Sequence, residues 1–292
     1  MSIQWFPGHM AKARRQITEK LGLIDVVIEL LDARLPLSSR NPMIDDIIKN
    51  KPRLILLNKS DLSDKKVTDE WVHFFSKRLG FMALPIDSLS GKGVSKIPAL
   101  CSGLAQPIMA KRSEKGMKPR AVRTMILGIP NVGKSSLINR LSKRNVAQTG
   151  DRPAVTKGQQ WVKVGKSMEL LDTPGILWPK FEDQEVGYRL AASGAIKDEI
   201  LDYQDVAIYI CRFLMKHYPN HLMKRYRLHA LSDDPAEVLE QIGKNRGCLM
   251  PGGIIDFEKA SELVLRELRS GKLGRISLEF PPQPLEEVEV ND

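Results

Sequence analysis

The chain has little cysteine, with only Cys101, Cys211 and Cys248 among 292 residues. They are odd in number and far apart, so they form neither a disulfide framework nor a metal-ligand spacing, as suits a reducing compartment. Aromatic residues are scarce, at 6%. Acidic residues are outnumbered, 35 Asp and Glu against 45 Lys and Arg. No uninterrupted apolar run is long enough to cross a bilayer, which argues against a helical membrane span and a membrane partner. The opening Met1-Ser2-Ile3-Gln4-Trp5 lacks the charged-then-apolar pattern of a secretory signal, so a cytoplasmic location is expected.

What remains is a foldable, basic chain. A hydrophobic content of 42% supports a core, and the length allows one large or two ordinary domains. The net charge of +10 points to an anionic partner. Positive residues gather in three stretches: Lys12, Arg14, Arg15 and Lys20; then Lys111, Arg112, Lys115, Lys118 and Arg120; then Lys216, Lys224, Arg225 and Arg227.

Residues 128–135, Gly-Ile-Pro-Asn-Val-Gly-Lys-Ser, have the G-x-x-x-x-G-K-[ST] spacing of a phosphate-binding loop. Gly128 and Gly133 permit backbone conformations and approaches that a side chain would block. The amides around Asn131, Val132, Gly133, Lys134, Ser135 and Ser136 then cradle phosphates at a helix start. Lys134 reaches the β- and γ-phosphates, and the Ser135 hydroxyl sits on Mg²⁺. The context fits, because Val122–Leu127 reads as a strand and Ser136–Leu141 as a helix start.

Asn58-Lys59-Ser60-Asp61 follows the apolar run Leu54–Leu57, which reads as a buried parallel strand. Ligands of such sheets bind beyond the strand C-termini. The Asp61 carboxylate accepts two N–H bonds from guanine, and adenine would leave it unpaired. Asn58 is expected at the other base edge, with the Lys59 stem along the base face. The same four residues also suit a plain strand-end turn.

Asp172-Thr173-Pro174-Gly175 follows the strand-like Met168–Leu171. Asp172 is expected to hold Mg²⁺ through water, and the Gly175 amide to sense the γ-phosphate. Thr156 lies between these motifs, where a GTPase keeps the threonine that closes over Mg²⁺ and γ-phosphate. Pro85–Gly93, including Asp87 and Ser88, resembles the loop whose backbone amide touches the guanine oxygen. GTP or GDP is thus the expected ligand. The guanine motif precedes the phosphate loop by about seventy residues, the reverse of the usual order.

Apolar runs alternate with helical patterns to about residue 195, as in an α/β doubly wound, mostly parallel sheet. Val26–Leu31 reads as a strand, Asn41-Pro42 as a cap before a helix over Met43–Ile48, and Trp71–Leu79 and Val94–Leu104 as helices. Residues 106–120 read as a basic linker. A GTPase domain over 1–195 is expected to precede a small all-α domain over 196–280 and a disordered tail over 281–292. Asp234-Pro235 and Asp256 are candidate helix starts. His217 and His221 have helical zinc spacing, but Pro219 intervenes and no third ligand is near. Tyr203, Tyr209 and Tyr226 suit a core better than an RNA stacking platform.

Together these motifs resemble a circularly permuted GTPase of the translation-factor class, and in particular the bacterial ribosome biogenesis GTPase A family. Gln4-Trp5-Phe6-Pro7-Gly8-His9-Met10, Asp32-Ala33-Arg34-x-Pro36 and Gly187-Tyr188-Arg189-Leu190-Ala191 carry the resemblance further. It implies a slow GTPase acting late in assembly of the large (50S) ribosomal subunit. Its partners would be a precursor particle, rRNA and ribosomal proteins, and the protein a monomer. Asn131 would help to hold K⁺ near the phosphates. Where many GTPases place a water-orienting glutamine, this chain has Ile176. The resemblance suggests His9 in that role. Two other readings stay open: a GTP-dependent RNA-binding module whose hydrolysis is incidental, and a GTPase of tRNA modification.

Overall fold

The computed structural model describes residues 7–143, 161–173, 175, 177, 183–196 and 202–283, with side chains from residue 14 onward. Thr156, Pro174 and Ile176 lie outside the described residues, as does the side chain of His9.

The α/β part of the chain contains helices α1 (Pro7–Leu21), α2 (Met43–Ile48), α3 (Lys65–His73), α4 (Ile97–Glu114), α5 (Lys134–Ser142) and α6 (Gln184–Ser193). Its strands are β1 (Val26–Asp32), β2 (Arg53–Asn58), β3 (Met82–Pro85), β4 (Val122–Leu127), β5 (Trp161–Val164) and β6 (Met168–Leu171). They form one sheet in the order β3-β2-β1-β4-β6-β5. All neighbouring pairs are parallel except β5 with β6, which gives the doubly wound, mostly parallel α/β sheet that the alternation of patterns implied.

Burial follows position in the sheet. Every residue of β1 and β2 is buried, as expected for strands covered on both faces. Edge strand β5 alternates exposed and buried residues. Ile28, Leu30, Leu54, Leu56 and Ile126 face a core that includes buried residues of α4 and α5. On the other face, Val27, Met125, Leu127 and Leu171 pack with Ile17, Ile44 and Ile48 of α1 and α2. Leu31, Ile55 and Leu57 pack on that face with Val67, Trp71 and Phe75.

The strand order runs β1-β2-β3 in one direction and β1-β4-β6 in the other. The reversal falls between β1 and β4, and the crevice beyond the strand C-termini at such a point is where α/β sheets take ligands. Asp32 ends β1, Asn58 ends β2, Gly128 follows β4 and Asp172 follows β6. The motifs therefore converge on one rim.

Two local expectations need correcting. The helix over Trp71–Leu79 begins earlier, because Asp64 caps it by accepting from Lys66 N at 2.8 Å, and it continues as a π-helical turn over Phe74–Arg78. The stretch 106–120 is not all linker, since α4 runs through Pro107 to Glu114. Buried Ala105 and half-buried Met109 keep that helix on the core, so packing overrides the proline.

Beyond the sheet lie α7 (Tyr203–His217), α8 (Pro219–Tyr226), α9 (Pro235–Arg246) and α10 (Phe257–Arg269). Asp202, Asp234 and Asp256 cap α7, α9 and α10 by accepting from first-turn amides. Tyr226 is buried, and Tyr209 stacks on Tyr188 with ring centroids 5.1 Å apart. Pro219 opens a new helix, so His217 and His221 sit on separate elements. After α10 the chain returns to the sheet domain, where Leu278 N donates to the Arg34 carbonyl at 2.6 Å. Among the described residues no helix is long and apolar enough to cross a membrane.

Candidate nucleotide-binding site

The phosphate loop joins β4 to α5. Asn131 and Gly133 have positive φ, 56° and 101°. Alternating left-handed residues turn successive amides toward one concavity, which suits an anion. Gly133 is also required by space, because a Cβ there would lie 2.3 Å from the Asn58 amide nitrogen. Lys134 is buried, and its Nζ donates to the Gly128 and Ile129 carbonyls at 3.0 and 2.7 Å. The ammonium is thus held at the loop's own backbone. Burial pushes it down to about 8, against the pull of Asp172.

Asp172 stands beside the loop at the end of β6. Burial pushes its carboxyl up to about 6, despite the opposing Lys134 charge and the Thr173 amide. Its Oδ1 is buried with no hydrogen-bond partner among the described residues. A buried orphan oxygen is costly unless a ligand satisfies it. With the half-buried Ser135 hydroxyl on the neighbouring loop, this all-oxygen donor set fits Mg²⁺. The Thr173 hydroxyl donates to the Ile126 carbonyl and pins the segment to β4. A Cβ on Gly175 would meet Pro130 N at 2.8 Å and Lys134 Nζ at 2.9 Å. Gly175 therefore lies against the phosphate loop.

The guanine motif meets that loop through Asn58. Its Nδ2 donates to the Val132 carbonyl at 2.7 Å, and its Oδ1 accepts from Ser88 N at 3.0 Å and Ser88 Oγ at 2.8 Å. Its acceptor is therefore engaged in joining two loops, and one amide hydrogen is left for a base edge. Asp87 holds its own loop, accepting from Leu89 N at 2.8 Å. Burial pushes the Asp87 carboxyl up, but hydrogen bonds from Ser90 and Leu89 outweigh it and the net shift is downward. The Ser88 and Leu89 amides of this loop are thus engaged by Asn58 and Asp87.

Three residues have roles the motifs alone did not reveal. Asp32 forms a bidentate pair with Arg34, at 2.9 and 2.8 Å, and also pairs with Lys59 at 3.1 Å. Burial would raise the Asp32 carboxyl, yet Arg34 and Lys59 hold it well below the usual range. The acid–base pair two residues apart at a strand end was a readable signal for this anchor. Asn131 donates from Nδ2 to the Gly194 carbonyl at 2.8 Å, which ties the phosphate loop to the C-terminus of α6. Arg269 donates to the Ala191 and Ala192 carbonyls at that same terminus, at 2.9 and 3.1 Å. No spacing in the sequence announced either contact.

Comparison with known proteins agrees with this geometry. A family model described as 50S ribosome-binding GTPase matches residues 123–242, a stretch holding the phosphate loop and Asp172 but not Asn58–Asp61. The chain is 62% identical to a Bacillus cereus protein named Ribosome biogenesis GTPase A, over 99% of this chain and 97% of that one. A Thermotoga maritima protein of the same name is 31% identical over 96% of this chain and 95% of its own. The crystal structure of GNP-bound YlqF from T. maritima superposes with a TM-score of 0.63 at 30% identity, covering 93% of this chain and 99% of that one.

Proposed function

The chain belongs to the ribosome biogenesis GTPase A family and is a GTPase; from that premise we propose that its hydrolysis gates a late step in assembly of the large ribosomal subunit, on a precursor particle in the cytoplasm. The observation that carries the reading is Asn58, which joins the base-reading, phosphate-binding and Ser88 loops into one site. The net charge of +10 supports rRNA as part of the docking surface. The monomer acts as the switching unit, with ribosomal proteins beside the rRNA.

In this reading Asp61 selects guanine, and the loop amides with Lys134 take the phosphates. Ser135, Asp172 and Thr156 would hold Mg²⁺, which would supply neutralisation of the phosphate charge. The Gly175 amide reports the γ-phosphate. Asn131 would add K⁺ on the phosphate side, while its Nδ2 donates to the Gly194 carbonyl. His9 would orient the attacking water, since Ile176 has no polar group.

The site has a direct route to the C-terminal helices. Asn131 bonds the end of α6, and Arg269 of α10 caps that same end. A change at the γ-phosphate can thus bias the helical domain through one element, as a switch requires. Co-sedimentation with mature and immature large subunits, in GDP and in a non-hydrolysable GTP analogue, tests the proposal. Tighter binding of immature particles in the analogue, with turnover raised by those particles, is the expected result. Binding blind to nucleotide would leave an RNA-binding module with incidental hydrolysis.

A further inference from the structure

Asp61 is exposed, and its carboxylate has no hydrogen-bond partner among the described residues. Its aim is therefore set by the backbone of the loop that carries it. That loop is held by the segment after α10. Arg275 Nη2 donates to the Ser60 carbonyl at 2.7 Å, and Nε to the Ser63 carbonyl at 2.8 Å. The two carbonyls flank Asp61. Ile276 N donates to the Leu62 carbonyl at 2.9 Å, and Asp64 N donates to Ser277 Oγ at 3.2 Å.

The same segment reaches the other side of the motif. Leu278 N donates to the carbonyl of Arg34, whose guanidinium holds Asp32, which in turn pairs with Lys59. Ile276, Ser277, Leu278 and Glu279 are buried, so the segment is anchored. Glu279 accepts from Leu37 N and Ser38 N at 2.8 and 2.9 Å and pairs with Arg189 of α6 at 3.4 Å. Arg275 differs from these anchors, because it is exposed and both donors go to the guanine loop. Two forked bonds from one planar guanidinium fix the separation of two carbonyls, which a flexible ammonium cannot do.

We propose that residues 275–279 form a strap that belongs to the base-recognition machinery, with Arg275 as the positioning residue that aims Asp61 at guanine. The proposal rests on Asp61 as the guanine reader. It makes base selectivity a property of the C-terminal segment as well as of the sheet domain.

The test compares GDP with inosine diphosphate, which lacks the exocyclic amino group that Asp61 would accept. Full-length Arg275→Ala, Arg275→Lys and Asp61→Asn are measured for both affinities and for GDP dissociation. Because Arg275 is exposed, Arg275→Ala keeps the buried anchors. It is expected to release GDP about tenfold faster and to narrow the GDP-to-inosine-diphosphate ratio by about fivefold, as befits the loss of two loop bonds. Arg275→Lys, with its charge kept and one carbonyl in reach, falls between Arg275→Ala and the parent. A parental ratio in Arg275→Ala, or equal weakening of both nucleotides, overturns the proposal. If Arg275→Ala fails to fold, the ratio in Arg275→Lys decides in the same way. Unchanged discrimination in Asp61→Asn instead overturns the base reading itself.

Discussion

The Asn58 amide nitrogen donates to the Val132 carbonyl across 2.7 Å, although one residue ends β2 and the other lies in the phosphate loop after β4. This bond makes one site of two motifs whose order along the chain is reversed. Asn58→Ala would leave the Val132 carbonyl and both Ser88 donors unpaired in a buried place. At ~1–3 kcal/mol for each buried group left unsatisfied, GDP affinity should fall by about 100-fold. Ser88→Ala, which removes only the hydroxyl, should cost about tenfold or less. Equilibrium titration with fluorescent GDP checks the ranking, and equal losses would contradict the hub role of Asn58.

Base choice should follow Asp61. Asp61→Asn is expected to weaken GTP by about 100-fold and to favour xanthosine triphosphate, whose base offers an acceptor where guanine has a donor. Competition against labelled GDP reads this directly. ATP competing as well as GTP in the parent protein would sink the assignment.

Magnesium binding should compete with a proton. Burial pushes the Asp172 carboxyl up to about 6, so it binds its proton more tightly than a free carboxyl does. Mg²⁺ needs the charged form. The affinity that Mg²⁺ adds to a GTP analogue should therefore be full near pH 8 and fall away below about pH 6. Titrations with and without Mg²⁺ across that range measure the increment. Asp172→Asn should remove both the increment and its pH dependence, and a persisting increment would place the metal elsewhere.

Potassium should accelerate hydrolysis relative to sodium at matched ionic strength, by about tenfold, if a second cation stabilises transition-state charge. Asn131→Ala should abolish the difference. It also removes the bond to Gly194, so GDP affinity must be measured beside the rate. Loss of the potassium effect at unchanged GDP affinity supports coordination. Equal parental rates in the two salts would remove K⁺ from the role of Asn131.

Intrinsic turnover should be slow and should rise on immature large subunits. His9→Ala should lose about 100-fold of the stimulated rate, the lower range of a positioned acid–base group. GTP affinity and particle binding should persist. A single-turnover assay in which the variant keeps the full stimulated rate would remove His9 from the reaction.

Local spacing determined a large part of this protein. A parallel strand must pass its C-terminal end to the rim of the sheet, so motifs that follow apolar runs could be placed on one rim before any fold was known. The phosphate loop and the capped helices after Asp234 and Asp256 were legible because hydrogen bonds between near neighbours form them, and the strands over Val122–Leu127 and Met168–Leu171 because short apolar runs suit strands buried in a sheet. Tertiary structure decided what no spacing encodes. Packing of Ala105 and Met109 carried a helix through Pro107. The second partner of Asn58, the Arg269 cap on α6 and the return of Arg275 to the guanine loop all join residues distant in sequence. Such contacts depend on how elements are placed in space, and side-chain chemistry along the chain carries no periodic trace of that placement.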